Sequence, residues 1–216
     1  MPGVFVLPNQ VHQTIEGFGA CFNELGYDAL QVLDDTSRAG IMREFFAPGV
    51  GANFTVWRMP IGANDFSRDW YSYAETPGDF GLASFSIAHD EATLIPFLKN
   101  ALQLQPQFRV WASPWSPPTW MKTNGHYAAA QPSPLQVGIE TGIRPDQVGI
   151  EGTDMFIATD RFYATYAAYF GHFVDAYKSY GIDIAMVMPQ NEFNSPQVFP
   201  SCTWTPTGLA RFIAHL

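Results

Sequence analysis

Residues 108–125 read FRVWASPWSPPTWMKTNG. The opening FRVWAS is a short run of aromatic, β-branched and small residues and reads as a strand. The remainder carries three prolines and two tryptophans, Trp115 and Trp120, and reads as a long loop leaving the strand's C-terminal end.

The same strand-then-loop unit recurs in both directions from this block. A short strand is expected near residues 14–19, another over residues 53–61 (NFTVWRMPI), and a fourth over residues 182–189 (IDIAMVMP). Helical patterns lie between them. The first runs from about Asn23 to Phe46 and breaks near residues 34–36, where Asp and Thr can cap a restart. The second spans about residues 91–104, with Pro96 delaying the regular helix to about Ile95. In the third, Phe162, Tyr166, Tyr169, Phe173 and Tyr177 recur at spacings of three and four, and Gly181 is placed to end it. A last helix is expected from near Thr207.

Strands alternating with helices predict a parallel sheet of the α/β class. Long polar or aromatic loops at the strand ends match a (β/α)8 TIM barrel of which about four units are present, over residues 13–216. The apolar residues 4–8 (VFVLP), within a segment 1–12, are expected as a lone strand of a β-sandwich side domain. A doubly wound dinucleotide fold is rejected, because GFGACFNELG lacks the third glycine of the phosphate turn. Residues 128–154 hold a two-copy near-repeat, QVGIE, at 136–140 and 147–151; solenoids need more and larger units, so this stretch reads as a loop insertion, with surface decoration favoured over a rim or lid.

Aromatic residues make up 15% of the 216-residue chain and charged residues 14%, so a large core is expected rather than disorder. The formal net charge of −9, with 11 Lys plus Arg, offers no stripe to neutralise phosphates, so nucleic acid is not an expected partner. No segment is long and apolar enough to predict a membrane span. The five histidines lack metal-ligand spacing, and neither a phosphate loop nor a nucleophile elbow occurs, so no metal and no cofactor are expected. MPGVFVLPNQ has no basic region followed by an apolar run and is not read as a secretory signal; a full-length protein is expected to be secreted or periplasmic.

Unusual residues gather at three strand ends: Arg58, Asn64 and Asp65 in RMPIGANDFS; Trp115 and Trp120 in the proline-rich block; Gln190, Asn191 and Glu192 in MPQNEFNS. In a barrel these loops are neighbours. Indole faces stack on the C–H faces of sugars while carboxylates and amides bond the hydroxyls, so the combination points to carbohydrate. Singly, each residue has a plain structural reading: Trp115 as a core cap, Asp65 as a turn former, and Glu192 as a solvated loop residue.

Taken in order, GFGA, RMPIGANDFS, YSYAETPGDF, ASPWSPPTWMKTNG and QNE resemble glycoside hydrolase family 30, which contains glucosylceramidases and β-1,6-glucanases. The resemblance implies a retaining hydrolase of β-linked glucosides, glucosylceramide-like or β-glucan, with a carbohydrate or glycolipid as partner. It implies Glu192 as general acid/base, Asn191 on the sugar's 2-hydroxyl, Asp65 on hydroxyls at the far edge, Trp115 as a wall, and Arg58 orienting the nucleophile. That nucleophile would be a glutamate on a seventh strand, outside residues 1–216. The family usually has Pro after the acid/base, where this chain has Phe193. A non-catalytic carbohydrate-binding fragment is the alternative function, and an interaction fragment exposing its sheet edges is a third. Glu24 is a further candidate for the pocket, with a capping or solvent role otherwise.

Overall fold

The computed structural model describes residues 3–216. Three strands, β1 (Val56–Pro60), β2 (Arg109–Ser113) and β3 (Ile184–Val187), form one parallel sheet in that spatial order. Among the described residues, five α-helices accompany them: α1 (Glu24–Gln31), α2 (Asp35–Phe46), α3 (Leu94–Leu104), α4 (Asp160–Ser179) and α5 (Pro206–Ile213). Each strand is added beside the previous one, as barrel closure requires; a doubly wound sheet would reverse direction at its switch point. Among the described residues, no helix is long and apolar enough to cross a membrane.

Local chemistry explains the helix ends. Asn23 caps α1 by accepting from Gly26 N at 2.7 Å, and Asp34 caps α2 by accepting from Ser37 N at 3.0 Å. The break expected near residues 34–36 is present, and Asp34 caps the restart as α2. Gly181, at φ +77°, closes α4: its N–H reaches Lys178 O, and Ile182 N reaches Tyr177 O.

The expected strand at residues 14–19 is not a regular one. The chain there runs extended along the free side of β1. Phe18 O accepts from both Thr55 N and Val56 N, Ala20 O accepts from Arg58 N, and one parallel bridge joins Cys21 to Arg58. The cause is steric. A Cβ on Gly19 would lie 1.5 Å from Val56 O, and one on Gly17 would lie 2.3 Å from Thr55 Oγ1. Two glycines let this segment press on β1 more closely than side chains permit, which interrupts an even ladder. Residues 4–8 form no strand among the described residues, and Val4, Phe5 and Val6 are exposed; Met1 and Pro2 of the 1–12 segment lie outside the described residues.

The sheet has two unlike faces. Trp57, Met59, Val110 and Ala112 point toward the helices and are buried. Arg58, Trp111 and Met186 are register neighbours on the other face, which is open: Met186 is 53% exposed, and a cleft of about 320 Å³ lies over Val56, Trp111 and Ala185. The helix-side core is largely aromatic. Phe22 is fully buried, with its ring centroid 4.7 Å from that of Phe97, 5.2 Å from Trp57 and 5.8 Å from Phe108. Phe22 thus ties the glycine-rich segment to α3, to β1 and to the residue that leads into β2. Removing its ring leaves a cavity between elements that cannot collapse together. Phe22→Ala should lower unfolding free energy by about 3–5 kcal/mol, read as a lower urea midpoint at unchanged slope. A loss under about 1 kcal/mol would mean that this cluster does not hold the sheet to its helices.

Candidate active site

Alternation along β1 directs Arg58 to the open face, and the parallel register sets Trp111 beside it and Ser113 two residues further along β2. The guanidinium lies 5.0 Å from the Trp111 ring centroid and 4.1 Å from that of Trp115. It donates to Ser113 Oγ from Nε at 3.0 Å and from Nη2 at 2.6 Å, and to Asn191 Oδ1 at 2.6 Å. One side chain thereby joins the C-terminal ends of all three strands. Burial pushes the Arg58 pKa down, against the attraction of Cys21, Asp65 and Glu192. Its hydrogen bonds go to neutral oxygens, and it makes no salt bridge with any described residue.

Asn191 is fixed twice, by Arg58 and by its own N–H, which donates to Pro114 O at 2.8 Å. Glu192 follows at φ +36°, a left-handed conformation that is costly for a side chain with a Cβ. Strain of this kind, in a residue held by its neighbours, marks functional positions more often than random loops. The Glu192 carboxylate is exposed and accepts from Gln197 Nε2 at 3.2 Å. Asp65 leaves β1 on a turn built by Asn64, whose Oδ1 accepts from Phe66 N at 3.0 Å and from Ser67 Oγ at 3.0 Å. That turn presents the Asp65 side chain outward, without a hydrogen bond from any other described side chain. Desolvation by the surrounding loops raises the Asp65 pKa, the Arg58 cation opposes this, and the Glu192 charge adds to it.

Arg58, Asp65, Trp115, Asn191 and Glu192 therefore occupy one end of the sheet, with Arg58 in contact with Trp115 and Asn191 and electrostatically coupled to both carboxylates. They do not all share one cavity. A cleft of about 340 Å³ at Glu192 is lined by Glu151, Phe193, Asn194, Ser195 and Pro196, without Asp65 or Trp115.

Residues 15–134 match the glycosyl hydrolase family 30 TIM-barrel domain. The chain belongs to this family. It is 30% identical over 187 residues to the lysosomal acid glucosylceramidase of Mus musculus, an alignment covering 86% of this chain and 32% of that protein. It is 29% identical over 199 residues to an endo-1,6-beta-D-glucanase of Neurospora crassa, covering 90% of this chain and 36% of that one. The crystal structure of SrfJ from Salmonella typhimurium superposes with a TM-score of 0.78 at 28% identity, covering 96% of this chain and 41% of that one. The chain thus spans about a third of the length of the curated relatives it matches.

Two residues singled out in the sequence are held by packing. Trp120 is half-buried: its Nε1 donates to Ala74 O at 2.7 Å and its ring packs on Phe80 and Phe162, bracing loop against helix. Glu24 neither lines the pocket nor meets solvent. It is 1% exposed and accepts from His89 Nε2 at 2.8 Å, Arg68 N at 3.0 Å and Thr93 Oγ1 at 3.3 Å. Other contributors were missed. Alternation along FRVWAS would have placed Trp111 and Ser113 on the face of Arg58. Gln190 was noted but given no role; it donates to Trp115 O at 2.7 Å and accepts from Trp204 Nε1 at 3.2 Å. Gln197 and Glu151 carry no local sequence signal, because only the folded loops bring them to Glu192.

The Glu24–His89 pair anchors the loop that carries Asp65, because Glu24 also receives the Arg68 N–H. The hydrogen bond to Glu24 raises the His89 pKa above its ordinary 6.5; burial opposes this, and the charges of Glu24, Asp90 and Asp69 assist it. Burial alone would raise the Glu24 carboxyl, but its bonds to His89 and Arg68 hold it below its ordinary 4.5. A raised histidine stabilises the fold fully below its unfolded pKa and loses that contribution as pH rises through the folded value. A lowered carboxyl contributes above its unfolded value and loses the contribution as pH falls through the folded one. Stability from this pair should be greatest between about pH 4.5 and 6.5 and decline above that. Chemical denaturation across pH should show the decline in the parent chain and its absence in His89→Gln; an identical profile in both would rule the pair out as its source.

Proposed function

We propose that this chain supplies the acid/base half of a retaining hydrolase acting on β-linked glucosides, with a carbohydrate or glycolipid as substrate. The observation that carries the reading is the Arg58 junction, which fixes Asn191 and sets strained Glu192 one residue beyond it. Membership of family 30 supports the reaction class, and the names of its relatives, a glucosylceramidase and an endo-1,6-beta-D-glucanase, support the substrate class.

In this reading Trp115, 5% exposed and with its ring against Arg58, gives the glucosyl ring an edge to pack on, while Asp65 binds its outer hydroxyls and Asn191 its 2-hydroxyl. Arg58, which bonds only neutral oxygens here, holds a glutamate outside residues 1–216. That glutamate attacks the anomeric carbon and forms a glucosyl ester as the bond to the leaving oxygen breaks. Glu192 gives its proton to that oxygen. It then takes a proton from water, which attacks the same carbon, releases the sugar with net retention and frees the nucleophile. Such carboxyls work about 5–5.5 Å apart. Asp65, committed to hydroxyls, and Glu24, buried against His89, do not serve as the nucleophile. The open apolar sheet face fits a barrel closed by further strands.

The test uses a polypeptide containing both residues 1–216 and the second carboxyl. Glu192→Gln should lower kcat/KM for glucosides with poor leaving groups by about 10²–10⁴-fold, while glycosylation by a dinitrophenyl β-glucoside, which needs little protonation, is much less affected. Residues 1–216 alone are the control and should fold without turnover. Equal, small losses on both substrates, or turnover by the control, would overturn the assignment.

A further inference from the structure

The insertion at residues 128–154 is anchored to the loop after β3 rather than hanging free from the surface. At its root, Ala129 N and Ala130 N both donate to Gln197 O at 2.9 Å, and Ala128 makes an antiparallel bridge with Pro200. Near its end, Gly152 N donates to Asn194 Oδ1 at 2.5 Å, and Asn194 Nδ2 donates to Glu151 Oε1 at 2.9 Å. The chain that follows Glu192 is therefore held at two points, as the chain before it is held through Asn191. Gln197 is fixed from a further direction. Its N–H donates to Ser201 Oγ at 3.0 Å, while Ser201 N donates to Tyr127 O at 3.0 Å and Ser201 O accepts from Lys122 Nζ at 2.7 Å. With its backbone bound on both sides, Gln197 projects its amide from a fixed origin. Nε2 donates to Ser195 Oγ at 2.5 Å and to Glu192 Oε2 at 3.2 Å.

We propose that Gln197 is the positioning residue for the acid/base, and that the insertion is the brace that keeps Gln197 in place. The proposal rests on the reading of Glu192 as the acid/base. Glu192 needs such a partner. Its carboxylate is exposed, and among the described residues Gln197 alone donates to it. A long side chain in water with no partner spreads over several rotamers. Proton transfer tolerates little of that, since a misplacement of about 1 Å can lower a rate about 10²-fold. The chemistry of the amide fits the task. A cation at this place would hold the carboxylate ionised and oppose its work as an acid. A neutral amide aims the carboxylate and leaves its proton free to move. The bond engages Oε2, so Oε1, which receives no hydrogen bond from a described residue, is left to meet the leaving oxygen.

Two variants test the role. Gln197→Leu removes the donor at similar size, and Gln197→Asn keeps an amide that ends one methylene short of Glu192. In a polypeptide that also carries the nucleophile, both should lower kcat/KM for a glucoside with a poor leaving group by about 10–10²-fold. For a dinitrophenyl β-glucoside, kcat/KM should stay within about twofold, while kcat and KM fall together by about fivefold, because water still needs the base to open the glucosyl ester. A residue that only supports the fold would instead lower kcat/KM for both substrates in the same proportion. The second readout needs no turnover. In residues 1–216, NMR three-bond couplings at the Glu192 β-protons should report one χ1 rotamer in the parent and averaging in both variants, with circular dichroism unchanged. Proportional losses on both substrates, unchanged kinetics in both variants, or the same Glu192 couplings in parent and variants would overturn the proposal. A Glu192→Gln enzyme insensitive to the leaving group would remove the catalytic reading, while the couplings would still show whether Gln197 holds Glu192.

Discussion

The Arg58 guanidinium sets the terms for the rest of the site. It is a half-buried cation rooted in β1, and its donors must be satisfied before the fold can tolerate it. The acceptors come from β2, as Ser113, and from the turn after β3, as Asn191, while Trp111 and Trp115 cover its faces. Hydrogen bonds to a charged group contribute about 1.5–3 kcal/mol each, so slippage of any one strand loses more than a surface contact would. Strand register and the position of Asn191 are therefore one constraint. Glu192 inherits its place from it, including the strained backbone that turns its carboxylate outward.

Long loops carry most of the chemistry, and buried polar groups stiffen them where regular structure does not. Asp90, fully buried, accepts from the hydroxyls of Tyr71, Tyr73 and Tyr177, which binds the loop after β1 to α4. Glu75 accepts from Thr119 and Tyr127 and so joins the loops after β1 and β2. Lys122, whose pKa burial pushes down to about 8, donates to the carbonyls of His126, Tyr127 and Ser201 and so joins the loops after β2 and β3. The Glu75 and Lys122 staples each span two strand ends and the Asp90 staple ties a loop to a helix, so the loops brace one another as a rim. A preorganised rim is what a hydrolase needs if its donors are to be in place before charge develops.

Much of this was legible along the chain because periodicity and capping are local. The aromatic spacing of α4, the Asp34 restart of α2 and the strand cores inside 53–61, 108–113 and 182–189 all follow from neighbours within a few residues. The misreadings arose where distant residues decide the outcome. Gly17 and Gly19 look like strand weakeners until Val56 is seen pressed against them. Trp120 shares a proline-rich block with Trp115, yet Ala74 and Phe162 claim it for packing. Glu24 looks like an exposed helix start until His89, far along the chain, bonds it. The insertion gave no hint of its anchor, because Asn194 and Glu151 meet only through the tertiary fold.

The central claim is that Glu192 exchanges a proton with the leaving oxygen and then with water, on the side of the reacting carbon opposite the nucleophile that Arg58 orients. Azide rescue of Glu192→Ala tests it most directly, in a polypeptide that also carries the nucleophile. Azide attacks without giving up a proton, so it should restore turnover of an activated glucoside lost for want of a base, and the product should be the β-glucosyl azide, with configuration retained. Absence of rescue, or an α-glucosyl azide, would contradict Glu192 as the acid/base of a double displacement.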